Sequence, residues 1–174
     1  TIMFVAKSDI GGRNGISADT VKEIATEVTK LQEHSPLENV SIFLKANSNG
    51  PAGSARDEGN GHSIMLNYNG MLMNAVSGMM AGSDMMPAEQ ESRSAMFTLA
   101  HEWGHAVDQA SGRENSSGVV AILNADPSLR EGLSSYSGKN DLELYAELYA
   151  QNYFEETRGV ATMPATEATR ELLK

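Results

Sequence analysis

A long amphipathic segment from Pro87 to about Ala110 constrains the fold of this chain more than any other part of the sequence. Apolar residues recur in it at helical spacing, and Pro87 stands where a helix commonly begins. The apolar stripe consists of Met96, Phe97, Leu99, Ala100, Trp103 and Val107. We therefore predict one helix over the whole segment, with one face turned toward a hydrophobic core.

Shorter periodic segments surround this helix. Helical spacing predicts further helices from Ser17 to about Gln32, from Asp141 to about Thr157 and from Ala165 to Leu173. Alternating apolar and polar residues predict strands from Val40 to Lys45 and over 62–69. The stretches 8–15, 46–61, 111–118 and 124–140 are predicted to be loops. This mixture predicts a single α+β domain over residues 1–174.

Composition excludes several classes of protein. The chain has 174 residues and no cysteine, which excludes disulfide frameworks, thiol catalysis and iron–sulfur clusters. Its net charge of −10 disfavours nucleic-acid binding, and its apolar runs are too short for membrane insertion. No signal peptide is visible, so cytoplasmic and secreted locations both stay open. The chain begins with Thr1, which is compatible with a piece of a longer protein.

The predicted central helix carries an HExxH motif. His101 and His105 are four residues apart, so both imidazoles lie on one helical face and can bind one metal ion. Glu102 lies between them, near the metal without binding it, where it can act as general base on a zinc-bound water. A solvated helix with two surface histidines is the alternative, but a neighbouring Trp103 and Gly104 favour a packed face.

A carboxylate is the expected third ligand, because no further histidine follows at metal-binding spacing. Glu143 and Glu147 lie one turn apart on the next long helix, with no lysine or arginine one turn from either. One of them would bind zinc, and the other would hydrogen-bond a ligand histidine and fix its tautomer. Spacing alone does not decide which, and an exposed acidic stripe is the alternative.

The segments His101–Asp108, Ser134–Gly138 and Asn140–Glu147 resemble the catalytic domain of the gluzincin metallopeptidases related to anthrax toxin lethal factor. That family shows HE-aromatic-GHAVD, then an SYG-like turn, then an E-aromatic-aromatic-AE helix. The resemblance covers about a third of the chain. The link between the first two segments is shorter here than in the toxin, and Tyr145 replaces a phenylalanine.

The resemblance implies a zincin-like fold, in which a small twisted sheet packs on an active-site helix and a glutamate helix. It implies that His101, His105 and Glu143 bind one Zn²⁺, with Glu102 as general base. Glu147 would support the ligands by hydrogen bonding. Tyr136 would stabilise the oxyanion of the tetrahedral intermediate.

The sequence leaves two interpretations open for one residue and two segments. Asp108 either orients His105 or is a solvated helical residue. The strand over 62–69 is either the sheet edge that a substrate joins or an interior strand. The methionine-rich stretch 71–86 is either an adaptable substrate wall or core. His34 and His62 are read as non-ligands.

Together these features predict a zinc metalloendopeptidase whose partner is a peptide or protein substrate. Charge complementarity with the acidic chain would favour basic or neutral peptides. Two alternatives stay open. One is a zinc-stabilised docking domain without turnover, and the other is a self-processing module of a larger protein.

Overall fold

The computed structural model describes residues 1–6, 18–45, 51–67, 87–131, 133, 135 and 137–174. Over these residues the chain is α+β, with five α-helices and a small mixed sheet of four strands. It divides into two compact units, Thr1–Glu102 and Trp103–Lys174. The predicted α+β class is therefore confirmed.

The first unit contains the sheet. Its strands are β1 (Ile2–Ala6), β2 (Val40–Lys45), β3 (Gly53–Asp57) and β4 (His62–Asn67). Their order across the sheet is β1-β2-β4-β3. β1, β2 and β4 run parallel, and β3 pairs antiparallel with β4. β4 is thus an interior strand, which decides between the two interpretations of 62–69.

Side chains alternate between the two faces of this sheet. One face is buried and includes Val40, Ile42, Leu44, Ile64 and Leu66. Helix α1 (Ala18–His34) adds Ile24, Val28 and Leu31 to the hydrophobic core of the same unit. The apolar residues that alternate in β2 and β4, and those that recur at helical spacing in α1, are therefore the buried ones, as the sequence predicts.

The predicted loop over 46–61 is wrong for residues 53–57, which form strand β3. Small and charged residues of low strand propensity make up this strand, so its own sequence gives no signal. Backbone pairing with β4 stabilises it instead, from Gly53 opposite Leu66 to Asp57 opposite His62. β1 was likewise not predicted, and it forms by pairing with β2.

Helix α2 (Pro87–Ala110) has the bounds that the sequence predicted, and it continues from the first unit into the second. Three more helices follow: α3 (Glu114–Ala125), α4 (Asp141–Arg158) and α5 (Pro164–Thr169). Short 3₁₀ turns lie at Pro127–Arg130 and Arg170–Leu172. α4 has the clearest caps. The Asn140 side chain accepts hydrogen bonds at its start, and Gly159 ends it with φ of 64°.

Helix α3 corrects the predicted loop over 111–118. After Glu114, its next four residues are an asparagine, two serines and a glycine, which are weak helix formers. A residue of the preceding helix supplies the missing cap, because the backbone N–H of Ser116 donates to the Asp108 carboxylate at 2.8 Å. Val119 and Leu123 are then fully buried. The helix therefore depends on tertiary contacts that the local sequence does not show.

The methionine-rich stretch 71–86 and the predicted loop 8–15 lie outside the described residues, so both interpretations of the former stay predictions. No helix in the described ranges has the length and apolar character needed to cross a membrane.

Candidate metal centre

Helix α2 buries the HExxH motif. His101 and Glu102 are 8% and 6% exposed, and Trp103 is fully buried. A solvated helix carrying two surface histidines is therefore the wrong interpretation of this motif. His105, one turn after His101, is partly buried. The two imidazoles share a helical face because they are four residues apart.

Glu143 of α4 joins these two histidines. One ligand atom from each of His101, His105 and Glu143 lies within 4.8 Å of the other two. His105 Nε2 lies 3.4 Å from Glu143 Oε2. The Glu143 side chain is 22% exposed, so it does not belong to an open acidic stripe. The structure thus brings together the three residues predicted as metal ligands.

Local structure explains why α4 presents Glu143 here. The Asn140 side-chain oxygen accepts hydrogen bonds from the backbone N–H groups of Leu142 and Glu143, both at 3.0 Å. This cap fixes the backbone of the first turn of α4, from which Glu143 projects. Within the second unit, Gly104 lets α2 approach α4 closely, since a Cβ at Gly104 would lie 2.9 Å from Cβ of Tyr149.

Glu102 packs beside Gly53 of strand β3, inside the first unit. A Cβ at Gly53 would lie 2.6 Å from both Cγ and Oε1 of Glu102. Real Cβ atoms do not approach this closely, so a larger residue at Gly53 would displace the Glu102 side chain. Gly53 is a site residue that the sequence did not reveal, because it lies in a stretch predicted to be a loop.

Glu147 lies one turn after Glu143 on α4 and is partly buried. Its Oε2 atom is buried and has no hydrogen-bond partner among the described residues. A buried carboxylate oxygen without a donor carries a free-energy penalty of about 1–3 kcal/mol. A nearby cation or a protonated ligand would remove that penalty.

Asp108 is not a solvated residue, since it is 0% exposed. Its Oδ1 atom accepts a hydrogen bond from Ser116 N at 2.8 Å, and its Oδ2 atom lies 3.6 Å from Nη1 of Arg113. These contacts give it a structural role as the cap of α3. Its expected role in orienting His105 stays a prediction.

Tyr136 lies outside the described residues, so its predicted contact with the oxyanion is not tested. His34 and His62 belong to no group of possible metal ligands in the described part of the chain. His34 Nδ1 instead lies 2.9 Å from the Ser35 hydroxyl, and His62 is buried on strand β4.

Two imidazoles and one carboxylate are a donor set that catalytic zinc sites use, with a further position open for water or substrate. The described residues therefore contain a group that could hold a metal ion. Comparison with known proteins gives no family for this chain. No family model matches it, and no curated protein or solved structure does so either.

Proposed function

We propose that this protein is a zinc-dependent metalloendopeptidase with a zincin-like fold. The observation that carries the proposal is the grouping of His101, His105 and Glu143, with Glu102 buried next to His101 on the same helix. A site that only stabilises a fold has no use for a carboxylate placed beside the metal without binding it. The resemblance to the lethal factor gluzincins points to the same function.

His101, His105 and Glu143 would hold the zinc ion. Bound there, zinc would supply a Lewis acid that polarises the scissile carbonyl and lowers the pKa of water toward about 7. Glu147 would accept a hydrogen bond from the outer nitrogen of a ligand histidine. That contact would fix the imidazole tautomer and use the Glu147 oxygen that lacks a donor.

Glu102 would carry the proton transfers. Its carboxylate accepts a proton as water attacks the carbonyl carbon, and it returns that proton to the amine nitrogen as the C–N bond breaks. Because Glu102 is buried, this exchange would take place away from bulk water. Tyr136 would donate its O–H to the oxyanion, a contribution of about 3 kcal/mol for one such donor.

Strand β3 is the sheet edge where a substrate would bind. In the described part of the chain β3 pairs only with β4, so its other side has backbone N–H and C=O groups available. Gly53 of this strand lies against Glu102. A peptide that adds to β3 as a further strand would therefore have its backbone near the proposed general base.

The test compares wild-type protein with Glu102→Gln, using zinc content and cleavage of an unstructured protein such as casein. Glu167→Gln, at an exposed position on α5, is the matched control. We expect about one zinc per chain in all three proteins. Cleavage should fall by a factor of roughly 10²–10⁴ in Glu102→Gln, since that is the usual contribution of a general base.

Equal cleavage by wild type and Glu102→Gln would contradict the catalytic role of Glu102. Stable zinc binding without cleavage of any substrate in a broad peptide library would instead favour a zinc-stabilised docking domain. Failure to bind zinc under any loading condition would overturn the whole proposal.

A further inference from the structure

A pocket lies on the face of the sheet opposite the buried one, and its lining combines apolar, polar and positively charged residues. It is lined by Phe43, Leu44, Lys45, Ser54, Arg56, Ser63 and Met65. Phe43 is 37% exposed, which is high for a phenylalanine in the middle of a strand. Gly53, which lies against Glu102, and Ser54 are consecutive in β3, so their positions face opposite sides of the sheet. The pocket therefore lies on the other side of the sheet from Glu102.

The two cations of this pocket differ from the other cations that the structure describes. Five of those lie within ion-pair distance of a carboxylate: Lys22, Lys30, Arg113, Arg170 and Lys174. Arg130 donates to Asn124, Arg158 lies over the Phe154 ring, and Lys139 also has an interaction partner. Over the same described side chains, Lys45 and Arg56 form no ion pair or hydrogen bond.

Unpaired cations are unexpected in this chain. It carries 23 acidic residues against 13 basic ones, so a lysine or arginine has many chances to meet a carboxylate. Among the cations whose side chains the structure describes, Lys45 and Arg56 are the two with no ion pair, hydrogen bond or ring contact, and both line one pocket together with the exposed ring of Phe43. Two positive charges lie on either side of an apolar patch, and one carboxylate, Glu58, accepts a hydrogen bond from the pocket residue Ser63 at 2.6 Å. The net charge of these groups stays positive, which is complementary to an anionic ligand with an apolar centre.

The strand register gives the spacing of these groups. Phe43 pairs with Met65, which pairs with Ser54, so these residues form one row across the sheet. Lys45 pairs with Asn67, and Arg56 pairs with Ser63, so the cations lie on opposite sides of that row. Their backbones are about 13 Å apart along the strands and about 10 Å apart across them. The straight-line separation of the two backbones is therefore about 16 Å. Acidic side chains at positions i and i+4 of an extended peptide are about 13 Å apart on one face, and the long lysine and arginine side chains can cover the difference.

We propose that this sheet face, defined by Phe43, Lys45, Arg56 and Met65, binds an extended acidic segment of a partner protein. The segment has acidic residues at i and i+4, facing Lys45 and Arg56, and an apolar residue at i+2 over Phe43 and Met65. The site differs from the proposed zinc centre and does not depend on it. It also reverses, at this surface, the expectation from net charge that basic or neutral peptides bind best.

An acidic protein segment fits better than nucleic acid. Two cations neutralise few phosphates, and the net charge of −10 repels a polyanion. A short segment with two carboxylates and an apolar side chain avoids that repulsion and uses the apolar centre of the pocket.

Fluorescence anisotropy tests the proposal with a labelled peptide, Gly-Glu-Ser-Leu-Ser-Glu-Gly, against the whole chain at low salt. The same peptide with glutamine in place of both glutamates is the ligand control. Lys45→Gln/Arg56→Gln and Phe43→Ser are the test variants, and Lys22→Gln, at an exposed position on α1, is the matched protein control. Far-UV circular dichroism and thermal melts check that every variant folds.

We expect the acidic peptide to bind at least tenfold more tightly than the glutamine peptide. The double variant should weaken binding at least tenfold, Phe43→Ser about three- to tenfold, and Lys22→Gln less than twofold. Raising the salt concentration to 0.5 M should also weaken binding. Equal affinity for both peptides, or equal binding by a folded double variant, would overturn the proposal. So would tighter binding of a single-stranded RNA oligomer, or self-association of the chain that the double variant abolishes.

Discussion

The two ends of helix α4 hold their carboxylates in different ways. Near its C-terminal end, Glu155 is 8% exposed and is surrounded by donors. Thr166 Oγ1 and the Met163 N–H donate to it at 2.7 and 2.8 Å, and Arg170 Nη2 lies 3.6 Å away. Near the N-terminal end, Glu143 faces His105 at 3.4 Å, and Glu147 keeps a buried oxygen without a hydrogen-bond partner in the described structure.

On our account, this difference distinguishes a carboxylate that stabilises the fold from one that binds a cation. A buried carboxylate that stabilises a fold is expected to accept several hydrogen bonds, because burying a carboxylate without them raises the free energy of the folded state. Glu155 does so through the segment that follows α4. Glu143 instead lies with two imidazoles, which are good metal ligands, and the neighbouring Glu147 keeps one buried oxygen without a donor among the described residues. The same helix therefore serves stability at one end and, on our account, chemistry at the other.

Glu143→Ala should have the largest effect at the N-terminal end. It removes a proposed ligand, so zinc affinity should fall by more than the roughly 100-fold expected for loss of an outer hydrogen-bond partner. Competition with a chromophoric chelator measures this affinity. Glu167→Ala on α5 is the control and should bind zinc like wild type. Unchanged affinity in Glu143→Ala would remove Glu143 from the metal centre.

Glu155→Ala should have the largest effect on stability at the C-terminal end. It leaves the Met163 N–H without its acceptor and Arg170 without its carboxylate, while the Thr166 hydroxyl keeps the Met163 carbonyl at 2.8 Å. The free energy of unfolding should therefore fall by about 3 kcal/mol. Urea denaturation measures this change, and the exposed neighbour Glu156→Ala should cost less than about 1 kcal/mol. Zinc affinity should stay unchanged. A loss of zinc binding in folded Glu155→Ala would erase the distinction between the two ends.

Glu147→Gln sharpens the comparison, because it keeps the size of the side chain and removes its charge. Zinc affinity should weaken roughly 10–100-fold, as for other partners of ligand histidines. Stability without metal should be unchanged or slightly higher, since the buried Glu147 oxygen has no donor among the described residues. Chelator competition and urea denaturation on the same sample measure both. A large loss of stability without metal would show that Glu147 is a structural residue like Glu155.

Tyr145→Phe tests the middle of α4 and should have the smallest effect. The Tyr145 hydroxyl donates to the Leu172 carbonyl at 3.0 Å, so its removal should cost about 1 kcal/mol at neutral pH. Burial raises the pKa of Tyr145 well above its usual value near 10. The unfolded chain therefore ionises first, and wild-type stability should fall as pH rises above about 10.

Because phenylalanine does not titrate, the stability difference between Tyr145→Phe and wild type should shrink between pH 8 and pH 11. Urea denaturation across that range measures the difference. A gap that stays constant with pH would contradict the burial of an un-ionised phenol at this position.

The sequence predicts the parts of this fold that local signals encode. The apolar stripe and Pro87 predict α2, and helical spacing predicts α4 from Asp141 to about Thr157. Spacing of four residues places His101 and His105 on one face. These features need only the geometry of a helix and its capping preferences.

The remaining features depend on contacts between distant residues. β3 is held by its pairing with β4, and α3 is capped by Asp108. Spacing alone could not choose between Glu143 and Glu147, because both lie on one face of α4. The approach of α2 and α4 at Gly104 is a tertiary property, and so is the contact between Gly53 and Glu102.

Anomalous X-ray diffraction at the zinc edge tests the central claim most directly, on crystals of the whole chain grown with zinc. The account predicts one strong peak at about 2.0–2.2 Å from a nitrogen of His101, a nitrogen of His105 and an oxygen of Glu143. No peak at these residues at full zinc loading, or a peak held by other side chains, would contradict it.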